Sequence, residues 1–192
     1  MNLSENIKNA FNVIDKTYEN VDKLMRYCDS IANDCGYEAV TDKFLRYKSD
    51  SYYGGWFIRS FIKLYQLEND IKLENGWKNG PIFAMELSFE DTPIVYLSKF
   101  EYGDISQWTK GAISPTVYWV FSDPIDCQGS NFKEKNLDNT NGYFISEPET
   151  ENIKNKYWGV KRVVYTTTDL LQLESNNILD KVFGEFNIVR NL

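Results

Sequence analysis

Histidine is absent from all 192 residues of the chain. With it go the Ser-His-Asp and Cys-His nucleophile arrangements, every histidine-ligated metal site, and the side chain best suited to moving protons near neutral pH. Carboxylate, lysine or tyrosine chemistry is what remains. Cysteine is scarce: Cys28, Cys35 and Cys127 form an odd set without CxxC spacing, and with no histidine they complete no zinc site. Cys28 and Cys35 fall on one helical face roughly 10 Å apart along the axis, too far for a disulfide. Cys127, with no histidine to activate it, reads as an inert surface thiol.

Long apolar runs are missing too. No stretch approaches the ~18 residues of a membrane span, and the polar first residues lack the apolar core of a signal peptide. A reducing cytoplasm is the expected compartment, and no membrane partner is expected. Positive charge is also in deficit, with 21 Lys and Arg against 28 Asp and Glu, a net charge of −7. Arginine occurs only at Arg26, Arg46, Arg59, Arg162 and Arg190. Nucleic acid and anionic membrane both need a local positive field, so neither is an expected partner. Another protein, of basic character, is.

Ligand-binding signatures are likewise missing. No glycine-rich stretch follows a strand and opens a helix, which excludes the P-loop and the dinucleotide fingerprint. Asp123-Pro124-Ile125-Asp126 resembles a divalent-metal pair, and Asp70-Ile71-Lys72 has the acid-x-lysine spacing of some nucleases, but the two occur in the wrong chain order. Asp138 to Gly142 looks briefly like a calcium loop, yet its glycine would put Leu137 at the first ligand position. No metal and no cofactor are expected, and on balance no enzyme.

What is present is a rich supply of apolar and aromatic side chains: 42% hydrophobic residues, with 5 Trp, 13 Tyr and 12 Phe. The chain buries a true core. Its many Asn, Lys, Ile and Tyr have the look of an AT-rich bacterial or phage genome, so tyrosine content alone says little about binding. Neither repeat nor linker divides residues 1–192, and a single domain is expected.

The first element dominates the pattern. Ile7, Phe11, Ile14, Tyr18, Val21, Met25, Cys28, Ala32 and Cys35 recur at steps of four and three, which predicts one long helix from about Ser4, its N-cap, to Gly36. Ala10, Leu24 and Ile31 widen the stripe beyond a coiled-coil seam, which favours packing on the chain's own domain over dimerisation, with the oligomeric state left open as monomer or homodimer. A short helix is expected over Thr41 to Tyr47. Polar residues at Arg59, Lys63 and Gln66 follow helical spacing, so Phe57 to Leu67 is read as helix against a buried strand.

Pro81 to Phe89 and Ile94 to Tyr102 alternate as a hairpin around Glu90 to Pro93. A four-residue loop would pair Leu87 with Tyr96 and Phe83 with Phe100, giving one apolar face and one wet face carrying Glu86, Lys99 and Glu101. Thr116 to Ser122 alternates as a third strand, Tyr143 to Ser146 as a short one and Trp158 to Thr167 as a fourth good one. Asp123 to Asn141 reads as an exposed excursion. A final helix should place Ile178, Leu179, Val182, Phe183 and Phe186 on one side. The expected fold is α+β: a mainly antiparallel sheet of about four to six strands, packed on a long N-terminal helix and a C-terminal helix.

Two residue groups stand out as candidate sites. Tyr52-Tyr53-Gly54-Gly55-Trp56, with Arg59 beyond it, would present aromatic contact area on a flexible loop. Glu86, Lys99, Glu101, Asp123 and Asp126 form an alternative acidic set, although Glu86 with Lys99 also reads as a cross-strand ion pair. These support two functions. The first is a non-enzymatic acidic protein-binding module of inhibitor, immunity or accessory type. The second is a histidine-free, carboxylate-based enzyme or small-ligand binder acting on a sugar or nucleotide, recognisable by a concave site gathering two or more of its carboxylates.

Overall fold

The computed structural model describes residues 2–109, 113–126, 131–137 and 142–192, with Asp126 described by its backbone alone. Cys127 and the Asp138 to Asn141 part of the calcium-like stretch lie outside the described residues. The fold is α+β, with seven antiparallel strands rather than four to six. In chain order they are β1 (Tyr37–Ala39), β2 (Ser60–Leu67), β3 (Ile82–Ser88), β4 (Ile94–Tyr102), β5 (Phe132–Asn136), β6 (Tyr143–Pro148) and β7 (Val160–Asp169), and in space they run β1-β2-β3-β4-β7-β6-β5. The helices are α1 (Leu3–Ala32), α2 (Trp119–Asp126), α3 (Glu151–Lys156) and α4 (Glu185–Asn191).

Helix α1 is capped by Asn2 rather than Ser4, and Gly36, at φ 81°, ends the turn that follows it. That left-handed φ suits glycine, which has no Cβ to clash. Only the second half of the helix backs the sheet. Val21, Met25, Cys28 and Ala32 are buried against Phe61, Tyr65, Phe83, Met85 and Leu87, together with Val182, Phe183, Phe186 and Val189 from the chain's last turns. Burial of a side chain such as Val21 or Met25 contributes about 1.5 to 3 kcal/mol. Residues 2–13 are exposed throughout, so about three turns of α1 stand clear of the sheet they were expected to cover. Toward the end of the chain, Ile178 is buried as expected but Leu179 is exposed.

Several local expectations are overturned. Residues 41–47 form no helix; Leu45 instead bridges Ile62 of β2. Residues 60–67 are a strand, not a helix, because both faces of β2 are buried and its apolar run is nearly continuous. The polar residues that suggested helical spacing are held inside: Lys63 reaches Asp29 of α1 at 2.6 Å, and Gln66 exchanges hydrogen bonds with the backbone of Lys78. Residues 119–126, expected to be the end of a strand as far as Ser122 and the start of an exposed excursion beyond it, are helical, with Val120, Phe121 and Ile125 buried. The supposed excursion contains β5.

The hairpin forms one step out of the expected register. Ser88 faces Ile94 across a five-residue connection, so Leu87 pairs with Val95, Glu86 with Tyr96 and Phe83 with Lys99. A one-residue slip sends every side chain of one strand to the other face. Lys99 therefore lies on the α1 side, and Glu86 on the opposite side. That opposite side is not wet: Ile62, Leu64, Ile82, Ala84, Phe100, Val163 and Tyr165 pack there against Val120, Phe121, Ile125, Trp77, Trp108 and Tyr157. The sheet is thus the middle of three layers.

Candidate functional site

At the end of that second layer nearest the β3–β4 turn the packing opens into a cleft of about 640 Å³. Glu86 and Ser88 of β3, Ile94 and Tyr96 of β4 and Ser60 at the start of β2 form its floor. Tyr118, Ser122 and Asp123, at and within α2, form one wall, while Tyr47, Gly54, Phe57 and Arg59 form the other. Glu90, Asp91 and Thr92 of the turn close the rim. The strand–turn–strand rule explains the floor: Glu86 and Tyr96 are a directly opposed pair, so they emerge side by side on the same face.

Glu86 is only 4% exposed. Its Oε1 accepts hydrogen bonds from Ser60 Oγ at 2.5 Å and Ser122 Oγ at 2.9 Å, so β2 and α2 both orient the carboxylate. Asp123 Oδ2 accepts from the Tyr157 hydroxyl at 2.7 Å. Burial raises the pKa of the Tyr157 hydroxyl, and the bond to Asp123 raises it further. Tyr118 is raised as well, first by burial and then by the negative charges of Asp123, Glu86 and Glu90 and by neighbouring Tyr47. Tyr47 and Tyr118 hold their rings 5.5 Å apart. The two rings form aromatic walls of the cleft. Among the described lining residues Arg59 is the one cation, and it lies 3.4 Å from Glu90 at the exposed rim.

The cleft joins parts of both sequence-derived groups: Gly54 and Arg59 from the aromatic loop, Glu86 and Asp123 from the acidic set. The remaining members are dispersed. Tyr52, Tyr53 and Trp56 are exposed, with the two tyrosine rings 4.8 Å apart, while Gly55 is buried against Ser49. Lys99 and Glu101 belong to a network on the other face of the sheet. There Glu101 receives Lys99 at 2.9 Å and Arg162 at 2.8 and 2.9 Å, and these partners, Arg162 foremost, pull its carboxyl down to about 2. The expected Glu86–Lys99 pair is excluded by the register. Asp126 ends α2, its side chain outside the described set.

Sequence reasoning missed Ser60, Tyr96, Tyr118 and Ser122. Only the true register reveals Tyr96 beside Glu86, and Tyr118 and Ser122 were assigned to a strand. The chemistry assembled here is a water-accessible recess with tyrosine walls and excess carboxylate, a setting that favours a cationic group. Among the described residues no cluster of three or more metal-ligating side chains is present, and no helix is long and apolar enough to cross a membrane. The chain matches no protein-family model, no curated protein and no solved structure.

Proposed function

We propose that the protein is a non-enzymatic, cytoplasmic protein-binding module of inhibitor, immunity or accessory type, whose cleft receives a lysine or arginine side chain of a basic partner. One observation carries this: a single recess unites the aromatic-loop group, through Gly54 and Arg59, with the carboxylates of Glu86 and Asp123. Tyrosine faces with nearby carboxylates attract an ammonium or guanidinium group both electrostatically and through the ring quadrupole. The net charge of −7 steers a basic partner toward the surface and disfavours nucleic acid.

The test is a titration of the intact chain with lysine- and arginine-containing peptides and an acidic control, read by tyrosine fluorescence and calorimetry. Saturable binding of the basic peptides, weakened at least tenfold by Glu86→Gln with Asp123→Asn, is expected. Binding that ignores those substitutions, or equal binding of the acidic control, would overturn the proposal.

The alternative, a histidine-free enzyme or small-ligand binder for a sugar or nucleotide, is favoured by the same pair of carboxylates in one tyrosine-walled recess. Stabilisation by a saccharide or nucleotide in a thermal-shift screen, lost in Glu86→Gln, would select it.

A further inference from the structure

The apolar column of α1 does not stop where the sheet stops. Leu3, Ile7, Ala10 and Ile14 repeat the spacing of the buried Val21, Met25, Cys28 and Ala32 five turns earlier, on the same side of the helix. Yet Leu3, Ile7 and Phe11 are 72%, 52% and 54% exposed. The Phe11 ring touches the domain at Phe57, 6.2 Å between centroids, and Trp56 beside it is 67% exposed. A helix of about three free turns is marginal in water even with favourable composition, and this one holds bulky apolar side chains in solvent.

The charges beside this column suggest what covers it. On the outer face, Lys16, Glu19, Lys23, Asp22 and Arg26 satisfy one another within the helix. Lys8 and Asp15 flank the seam formed by Ile7, Phe11, Ile14 and Tyr18, and neither joins an ion pair within the described chain. They are one heptad apart and opposite in sign. In an antiparallel pair of such helices, residues of the same flank face each other. Setting Phe11 of one copy against Ile14 of the other brings Lys8 beside Asp15 and carries Ile7 to the edge of the covered region, where Tyr18 is half-buried and held by its own domain at Ile58 and Phe61. Two-fold symmetry makes each contact twice. A parallel pair would instead place Lys8 and Asp15 against Leu3 and Ala10, without complementary charge.

We infer that a second copy of this chain covers the exposed half of α1, forming an isologous antiparallel helix pair that crosses between Phe11 and Ile14. About three turns from each side bury less than the ~1,600 Å² of a standard interface, so the dimer is weak and concentration-dependent. Because Phe57 touches Phe11 and also lines the acidic cleft, the dimer carries two clefts at the margins of its interface. The inference stands independently of what the cleft binds.

Sedimentation equilibrium of the full chain from about 1 to about 200 µM tests it, a range that spans weak helix-pair association. A monomer–dimer equilibrium is expected. Ile7→Glu, at an exposed position, should abolish it while leaving thermal unfolding of the domain unchanged. Lys8→Asp or Asp15→Lys alone should each weaken association on the order of tenfold, since attraction becomes repulsion at both symmetric sites. The double exchange should restore it. A monomer throughout the range, a dimer indifferent to Ile7→Glu, or failure of the double exchange to restore association would each overturn the inference. So would a chain that stays monomeric and engages a different protein through this face.

Discussion

Lys63 and Glu86 are near neighbours in the sheet, since Ile62 pairs with Glu86 and Lys63 with Met85, but the alternation of β-strands sends them to opposite faces and into opposite circumstances. Lys63, 1% exposed, meets Asp29 of α1, which also accepts a hydrogen bond from the Tyr65 hydroxyl at 3.1 Å. This is a joint: charge answered by charge where helix and sheet meet. Glu86 is steadied by two serine hydroxyls on the floor of a recess. Burial alone therefore does not separate structural from functional charge. What separates them is whether the surrounding elements close over the group or leave a concave space in front of it.

The largest break in this comparison should come at the joint. Asp29→Ala leaves Lys63 buried without its carboxylate, and urea denaturation should show a loss of about 3 kcal/mol, as for other severed buried pairs. Next is the rim of the cleft. A Cβ on Gly55 would fall 2.4 Å from the Ser49 backbone nitrogen, so Gly55→Ala should cost about 1 to 3 kcal/mol and displace the neighbouring Gly54 wall. Basic-peptide affinity should fall with it.

The Lys99–Glu101–Arg162 network sharpens the contrast through pH. The Glu101 carboxyl is lowered to about 2 from an ordinary value of 4.5. A depressed carboxylate contributes stability that is fully present above its unfolded value and is lost as pH falls from there toward about 2. Stability measured between pH 6 and pH 2 should decline through that window, less steeply in Glu101→Gln. The smallest structural effect is expected at the cleft: Glu86→Gln keeps an acceptor for Ser60 and Ser122, so its unfolding midpoint should move by less than about 1 kcal/mol equivalent while ligand binding is lost.

The α+β class, the long helix and the hairpin at residues 82–102 were legible because each carries an unbroken period over many residues. The site was legible only in fragments. Lys63 and Gln66 imitated helical spacing because the fold hides both in partnerships that sequence separation conceals, with Asp29 and with the Lys78 backbone. Val117, Trp119 and Phe121 imitated strand alternation, although Val120, Phe121 and Ile125 face the core from a helix. The hairpin loop was counted one residue short, and that slip moved Lys99 to the wrong face and hid Tyr96 from Glu86. Turn length is a local quantity, but it decides which distant residues share a surface. The bare half of α1 was invisible for another reason: periodicity reveals an apolar face and is silent about where its covering ends.

The most direct test of the central claim is the affinity of the intact chain for a lysine- or arginine-containing peptide, compared with Glu86→Gln plus Asp123→Asn and with Asp29→Asn as the control at the joint. Binding that is lost in the cleft variant and kept in the folded joint variant is the result this account predicts. Equal affinity in the wild-type chain and the cleft variant would contradict it.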